Sequence, residues 1–112
     1  MLYARVVVGL AISGPFDYIV PKELQKNIRP GARVWVQFGP KKMLGYVVEL
    51  AAKTKIKNLK AITELIDETP VLDKSMLTLT RKLSEYYCCC WGEAIETALP
   101  EALRRGKKIG QN

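Results

Sequence analysis

The sequence predicts an α+β domain that is mainly β with C-terminal helices: a small OB-like curved sheet or barrel of about five strands plus two short helices. Three observations support this fold class. Short apolar runs rich in β-branched residues, separated by Gly and Pro, fill the first two-thirds of the 112 residues. The last third changes to helical spacing. Hydrophobic residues make up 48% of the chain, which is enough for one modest core.

Five short segments have the composition of β-strands. They are residues 2–8, 16–20, 33–38, 45–50 and 61–66. In the third segment Val34, Val36 and Phe38 alternate with other residues, so these three share the core face. Trp35 then lies with Arg33 on the opposite face, partly exposed beside a cation. There it could stack on a base or cover the sheet beneath a helix, and covering is the preferred alternative.

Gly and Pro mark the connections between these strands. They predict a loop at residues 9–15, one helical turn at 22–26 that begins at Pro21, and turns at Pro30-Gly31 and at 39–42. The strand after the last of these turns places Tyr46 on one face with Val48 and Leu50, which predicts a core position for this tyrosine.

The last third of the chain predicts two helices. Asp73 is a suitable N-cap, because its carboxylate can accept a hydrogen bond from a free amide of the first turn. The apolar face is expected to hold Met76, Leu79, Leu83 and Tyr86 or Tyr87, at spacings of three and four. A second short helix is predicted at residues 92–99, ended by Pro100. We expect this pair of helices to pack on the sheet.

These elements predict three regions. They are a β-barrel-like region at 1–70, a helical addition at 71–103 and a basic linker at 104–112 that leads toward further domains downstream. The chain has no apolar run of about 20 residues that would span a bilayer and no secretory signal pattern, so we expect a cytoplasmic protein.

The sequence contains no recognisable set of catalytic residues. It contains no histidine, which removes the commonest general base and the mixed Cys/His zinc sites. It also lacks the Walker phosphate-binding pattern. Cys88, Cys89 and Cys90 are consecutive, so they are expected to be reduced and partly buried at a helix end rather than to form a metal site. We therefore predict a binding module without a cofactor or metal, not an enzyme.

The charge balance favours a polyanionic partner. Lys and Arg number 18 against 11 Asp and Glu, giving a net charge of +7. Lysines concentrate near the predicted turns, and those chosen as candidate phosphate contacts are Lys41, Lys42, Lys53, Lys55 and Lys57. A solvated loop of lysines without a ligand is the alternative interpretation.

Asp17 is an unusual residue for a surface that binds phosphates, because its side chain is acidic. It lies between Phe16 and Tyr18, directly after a Gly-Pro loop. An ionised carboxylate only accepts hydrogen bonds, so Asp17 could hold a ligand hydroxyl or amino group but would repel a phosphate. The alternative is that it accepts amides from a neighbouring turn.

Several short motifs follow one another in a characteristic order along nearly the whole chain. They are Phe16-Asp17-Tyr18 with Val20-Pro21, Pro30-Gly31 with Arg33-Val34, Val36-Gln37-Phe38-Gly39, Gly45-Tyr46-Val47-Val48, Leu59-Lys60-Ala61-Ile62, Tyr86-Tyr87, Gly92-Glu93 and Ala98-Leu99-Pro100. In these motifs the chain resembles the N-terminal 3′ DNA-binding domain of the primosomal protein N′ family, the replication-restart helicases typified by PriA.

This resemblance implies sequence-independent binding of the 3′ end of a nascent DNA strand at a stalled fork. It also implies a longer parent protein, an ATP-dependent 3′–5′ helicase with ATP, magnesium and zinc sites in other domains. The partners implied are DNA with a free 3′-hydroxyl end, the other domains of that helicase and other primosome proteins, without a membrane. The implied location is the bacterial cytoplasm, in association with the nucleoid.

The resemblance assigns the 3′-end site to Phe16, Asp17, Tyr18, Gly39 and Lys60. Strand alternation directs Asp17 away from the two aromatic side chains, so we expect Asp17 to use its carboxylate while its neighbours contribute backbone groups. Gly39 would admit a close approach of the terminal nucleotide, and Lys60 would lie near its sugar or phosphate.

Two positions depart from the family pattern. Gln37 replaces a proline, so the turn that follows is expected to be less rigid, and Cys88 and Cys89 stand where histidine is common. Two other functions remain open at this stage. One is a general single-stranded DNA- or RNA-binding barrel without end recognition, and the other is a protein-interaction domain that uses an exposed Trp35 patch.

Overall fold

The computed structural model describes residues 1–9, 14–57 and 59–99. Within these ranges the backbone forms five strands, one 3-10 turn and two helices: β1 Tyr3–Val8, β2 Phe16–Ile19, the 3-10 turn Lys22–Leu24, β3 Arg33–Phe38, β4 Lys41–Ala51, β5 Ile62–Leu65, α1 Lys74–Tyr86 and α2 Trp91–Ala98. The predicted small OB-like α+β fold is confirmed. The predicted linker at 104–112 and the end of the helical addition lie outside the described residues, as does part of the 9–15 loop. The division into regions stays a prediction.

The strands form one antiparallel sheet in the order β2-β1-β4-β3-β5. The sheet curls until its two edges meet, where Ile19 of β2 pairs in parallel with Ala61, directly before β5. The N–H of Ile19 donates to the Lys60 carbonyl at 3.0 Å. These contacts turn the curved sheet into a small barrel that its own backbone holds closed at one point.

Register determines which chain segments meet at one end of this barrel. Residues 60–61 run parallel to β2, whereas β5 runs antiparallel to β3, with Ile62 beside Val36. The residues that precede Ile19 in β2 therefore lie at the same end of the barrel as the residues that follow Val36 in β3, up to Gly39. We call this end the barrel tip: residues 16–18 of β2, residues 37–40 at the β3–β4 turn, and residues 59–60.

Two apolar clusters lie on the two faces of the sheet. The cluster inside the barrel contains Ala4, Val6, Val8, Tyr18, Val20, Ile28, Val34, Val36, Val47 and Ile62. The second lies between the outer face and the helices, and contains Val7, Tyr46, Leu72, Leu77, Ile95 and Leu99. The helices are thus attached to the outside of the sheet, as the sequence predicts.

Helix α1 begins as predicted, but its buried face differs from the prediction. The Asp73 carboxylate accepts a hydrogen bond from the Met76 N–H at 2.8 Å. The buried residues of α1 are Leu77, Thr80 and Ser84, whereas Leu79 and Tyr86 of the predicted apolar face are exposed. Two small hydroxyl residues can be buried because each hydroxyl donates to a carbonyl of its own helix, Thr80 to Met76 and Ser84 to Arg81. No described helix is long and apolar enough to cross a bilayer.

Strand β4 is longer than predicted. It begins at Lys41 instead of residue 45, because Lys41 and Lys42 pair with the end of β3, and the turn shrinks to Gly39 and Pro40. A register shift between β1 and β4 leaves Val48 as an extra residue opposite the Arg5–Val6 step. This bulge separates Tyr46, which is buried under the helices, from Leu50, which packs inside the barrel. The predicted shared face of these two residues is wrong, although Tyr46 is a core residue.

A buried ion pair connects β3 to the segment that follows β5. Arg33 and Asp67 are both buried. The guanidinium donates to both carboxylate oxygens, at 2.8 and 2.7 Å, and the backbone N–H of Arg33 donates to the same carboxylate at 3.0 Å. The sequence places Arg33 on the outer face with Trp35, and the structure adds that a carboxylate covers it there. The cation beside Trp35 is accordingly Lys42, not Arg33.

We expect Asp67→Ala to lower the free energy of unfolding by about 3–5 kcal/mol, because it leaves the buried Arg33 guanidinium without its carboxylate. Urea denaturation measures this loss. The exposed neighbour Glu68 supplies the control, since Glu68→Ala should change stability by less than about 0.5 kcal/mol. Equal stabilities of the two variants would contradict a structural role for the ion pair.

Candidate nucleic-acid interface

The structure gathers all five sequence-predicted end-binding residues at the barrel tip. The rings of Phe16 and Phe38 meet edge to face, with centroids 5.2 Å apart. The Tyr18 hydroxyl donates to the Gln37 carbonyl at 3.1 Å. These two contacts hold the first half of β2 against the end of β3, while the Ile19–Lys60 hydrogen bond brings the chain before β5 to the same place.

The side chains of β2 point in the alternating directions that the sequence predicts. Tyr18 is buried inside the barrel, and Phe16 packs against the same inner cluster. Burial raises the pKa of the Tyr18 phenol above its usual value of 10.0. Asp17 points to the opposite side of the strand. The Tyr18 side chain is therefore occupied in packing, and the half-buried Phe16 ring packs against the inner cluster and Phe38.

The Asp17 carboxylate is partly buried on the outer side of β2, with 15% of the side chain exposed. Its Oδ2 accepts a hydrogen bond from the Thr54 hydroxyl at 2.5 Å, and Arg5 Nε lies 3.8 Å from Oδ1. A carboxylate has about four lone-pair sites, so these neighbours leave it capacity to accept from another donor. Sequence reasoning missed both neighbours.

Backbone N–H and C=O groups on the edge of β2 that faces away from β1 also point toward the tip. Neighbouring residues of an antiparallel strand direct their N–H and C=O groups to opposite edges, so Asp17 faces the same edge as Ile19. Ile19 uses its N–H there to reach the Lys60 carbonyl. The N–H and C=O of Asp17 thus point toward the gap between β2 and the β3–β4 turn, close to Lys60.

Gly39 gives the other side of this gap an unobstructed backbone. Its φ of +61° is a conformation that glycine adopts without strain, and no atom of the described residues lies within 4 Å of the position a Cβ would take. The Gln37 side chain donates to the Gly39 carbonyl at 3.0 Å. Glutamine in place of proline predicts a less rigid turn, but its side chain supplies a hydrogen bond that proline could not make.

Lysines surround the tip on several sides. The candidate phosphate contacts at 41, 42, 53, 55 and 57 are all exposed, as is Lys60. Thr54 lies within the lysine-rich segment, and its oxygen also accepts the N–H of Ile56 at 3.2 Å. Because the same hydroxyl donates to Asp17, the carboxylate holds this segment of positive charge against β2.

A separate cleft of about 920 Å³ lies between α1 and the outer face of the sheet. Its lining is largely apolar and includes Val48, Leu77 and Trp91, with Arg5 at the side nearest β2. None of the five predicted end-binding residues lines it. The barrel tip therefore lies outside this cleft.

The cysteines occupy the link between the two helices, as predicted. All three are free, with Cys88 exposed and the other two half-buried. Cys90 is the N-cap residue of α2, where its N–H donates to the Glu93 carboxylate at 2.9 Å. The described residues contain no group of three or more His, Cys, Asp or Glu side chains that could hold a metal ion.

Comparison with known proteins identifies the family of this chain. Residues 5–100 match the family described as 3′DNA-binding domain (3′BD). The chain belongs to this DNA-binding family. Its curated relatives include the replication restart protein PriA of Bacillus subtilis, 37% identical over 109 residues, and that of Chlamydia pneumoniae, 32% identical over 99 residues. The PriA of Rickettsia conorii is 30% identical over 100 residues.

These alignments cover most of this chain but a small part of each relative. They include 93%, 88% and 89% of the chain and 14%, 13% and 15% of the three relatives. The chain therefore corresponds to one domain-sized part of proteins that are several times longer. The predicted family, a 3′ DNA-binding domain, is confirmed.

We expect Tyr18→Phe to lower the free energy of unfolding at neutral pH by about 0.5–1.5 kcal/mol, through loss of the hydrogen bond to the Gln37 carbonyl. Above pH 10 the unfolded wild-type chain releases the Tyr18 proton while the folded chain keeps it, so wild-type stability should fall as pH rises. The phenyl ring of the variant cannot ionise, so the variant should lose less stability over that range. Urea denaturation at pH 7 and above pH 10 measures both effects, and identical pH dependence of the two proteins would contradict the burial of this phenol.

Proposed function

We propose that this chain binds the 3′ end of a nascent DNA strand at a stalled replication fork, without reading its base sequence. The observation that supports the proposal is that a carboxylate, an exposed lysine and two accessible stretches of backbone, at Asp17 and at Gly39, lie together at the barrel tip. The DNA-binding family supports the same ligand class. The stalled-fork setting draws on the relatives, which are named replication restart proteins.

Asp17 is the group that would recognise a free end. A terminal 3′-hydroxyl is a hydrogen-bond donor, whereas an internal 3′ oxygen is esterified and a terminal 3′-phosphate is anionic. The Asp17 carboxylate accepts from the hydroxyl, lacks a donor for the ester and repels the phosphate. Its partial burial strengthens the discrimination, because solvent screens the carboxylate less than it would at a fully exposed position.

The backbone at the tip accounts for indifference to sequence. The edge of β2 at Asp17 and the unobstructed turn at Gly39 offer N–H and C=O groups that contact a nucleotide without a side chain selecting one base. Lys60, which is exposed beside them, supplies a positive charge for the terminal sugar-phosphate. The remaining exposed lysines hold the backbone upstream of the end.

The parent protein would carry the chemistry that follows binding. We infer that this chain serves as the end-binding part of an ATP-dependent 3′–5′ helicase, whose ATP, magnesium and zinc sites lie in other domains. Those domains and other primosome proteins would be its protein partners, in the bacterial cytoplasm at the nucleoid. The low coverage of the relatives' length supports a larger parent.

We expect Asp17→Ala to weaken binding of an oligonucleotide with a 3′-hydroxyl by about 1–3 kcal/mol, roughly a 5- to 150-fold rise in Kd, through loss of a charged hydrogen bond. Binding of the same oligonucleotide with a 3′-phosphate should not weaken. Fluorescence anisotropy with both forms gives the discrimination ratio directly.

Glu49 provides the matched control. It is another carboxylate on the outer face and pairs with Arg5 at 2.7 Å, but it lies on β4, so that β1 and the Arg5 side chain separate it from Asp17. Glu49→Ala should keep the wild-type preference for the hydroxyl end. If wild-type protein binds both ends equally well, or if the two variants behave alike, the chain is instead a general single-strand binder that follows the phosphate backbone.

The lysine-rich segment should contribute affinity without end preference. We expect Lys55→Ala to weaken binding to both end types equally and to reduce the salt dependence, with the slope of log K against log [salt] changing by about 0.7 per lost phosphate contact. Lys74→Ala, at the start of α1, is the control for a change in net charge alone. Salt titrations that give the same slope for both variants would remove the segment from the DNA path.

A further inference from the structure

Trp35 is an aromatic side chain that the proposed end site leaves unused. It is half-buried on the outer face of β3, where register places it beside Leu44 of β4 and Glu64 of β5. The Lys42 ammonium lies 5.3 Å from the centroid of its ring. The sequence favours a covering role for Trp35 beneath a helix, whereas in the structure a lysine lies over the ring.

The helical cover of the outer face ends close to this position. On β4, Tyr46 is fully buried in the cluster beneath the helices, and Leu44 is half-buried at the margin of that cluster. Lys42, the next outward-facing residue along the strand, is exposed. Trp35, opposite Leu44, therefore lies at the boundary between the covered and the open part of the sheet, with a long, solvent-exposed side chain above it.

The Trp35 position is continuous with the barrel tip along a single strand. Two residues further along β3, Gln37 donates to the Gly39 carbonyl at 3.0 Å. From Trp35 to Gly39 the strand advances four residues, which is about 13 Å at the usual rise per residue. A DNA strand with stacked bases covers that distance in about four nucleotides, and a more extended strand in fewer.

We propose that Trp35 is a stacking site for an unpaired base of the DNA strand whose 3′ end lies at the tip. The identity of the bound end rests on the proposed function, but the stacking site itself rests on Trp35 and Lys42. Base stacking on an aromatic ring generally contributes more than a cation over an exposed ring, so a base displaces the lysine from the indole. The released ammonium is then placed to contact the phosphate next to that base.

The charged side chains around the Trp35 ring determine on which side of it the phosphate backbone of the DNA strand passes. Glu64 is exposed on the β5 side of Trp35 and repels phosphates there. Lys42 lies on the β4 side and shares the outer face with Trp35. The phosphate backbone therefore passes along the β4 side of the indole, with the base directed over the ring. A base has a stacking face whatever its identity, so this contact adds affinity without sequence preference.

Tryptophan fluorescence tests the proposal directly, because the chain has only two tryptophans. Trp91 lies in α2, where its indole N–H donates to the Thr80 hydroxyl at 3.0 Å. The variant Trp91→Phe leaves Trp35 as the reporter. We expect oligothymidylates of two nucleotides with a 3′-hydroxyl to bind without quenching Trp35, and quenching to begin at about three to five nucleotides.

Affinity measurements provide the second test. On the same Trp91→Phe background, Trp35→Leu should raise the Kd for an octanucleotide about 5- to 100-fold and leave the Kd for a dinucleotide unchanged, while Trp35→Phe should recover part of the loss. Circular dichroism and thermal unfolding confirm that each variant is folded. Lys42→Ala should flatten the salt dependence of octanucleotide binding without abolishing the quenching.

The outcomes separate this proposal from the proposed function. Quenching that depends on length but not on the chemistry of the end supports the stacking site and contradicts 3′-end recognition. A clear hydroxyl preference without quenching at any length overturns the stacking site and leaves end recognition intact. Quenching by dinucleotides, or an unchanged octanucleotide Kd in the folded Trp35→Leu variant, also overturns the path from the tip to Trp35.

Discussion

The meeting of the two sheet edges at Ile19 and Lys60 is the constraint on which the candidate site depends. A flat sheet in the same strand order would place β2 and β5 at opposite edges, with three strands between them. Curling brings these edges together, and the hydrogen bond from the Ile19 N–H to the Lys60 carbonyl holds them. Residues that are far apart in the sequence thereby share one tip.

The rest of the structure supports this closure from two sides. Inside the barrel, small β-branched residues fill the narrow interior, and Phe16 and Tyr18 hold β2 against the end of β3. Outside, the helices cover only part of the sheet, and the Arg33–Asp67 pair ties β3 to the segment that leads to α1. Among the described residues, Gly39, Pro40 and Lys60 stay exposed at the tip, so the backbone there is accessible to a ligand.

The sequence predicts the parts of the fold that depend on local pattern. Alternation located the strands and correctly directed Asp17 away from its aromatic neighbours, and the Asp73 cap marked the start of α1. Alternation assigns a residue to a face but does not show what covers that face, so the burial of Arg33 by Asp67 was not predictable. The buried face of α1 differs from the prediction because it contains Thr80 and Ser84. Their hydroxyl groups donate to carbonyls of the same helix, which allows these polar residues to be buried like apolar ones.

The candidate site shows the same limit. The identities of Asp17, Gly39 and Lys60 came from a family resemblance, and their convergence follows from strand order, which composition does not contain. Thr54 lies 37 residues from Asp17 in the sequence, and the surrounding lysines gave no sign that its hydroxyl bonds a carboxylate. Gln37 departs from the proline of the family pattern, but its hydrogen bond to the Gly39 carbonyl depends on a turn geometry that only the structure reveals.

The most direct test of end recognition at the tip is a nuclear magnetic resonance titration of the ¹⁵N-labelled chain with a dinucleotide that ends in a 3′-hydroxyl. We expect the backbone amide signals of Asp17, Gly39 and Lys60 to shift together and saturably, with much smaller shifts from the 3′-phosphate form. Shifts confined to the exposed lysines, or equal for the two dinucleotides, would contradict a site that recognises the free end of a DNA strand.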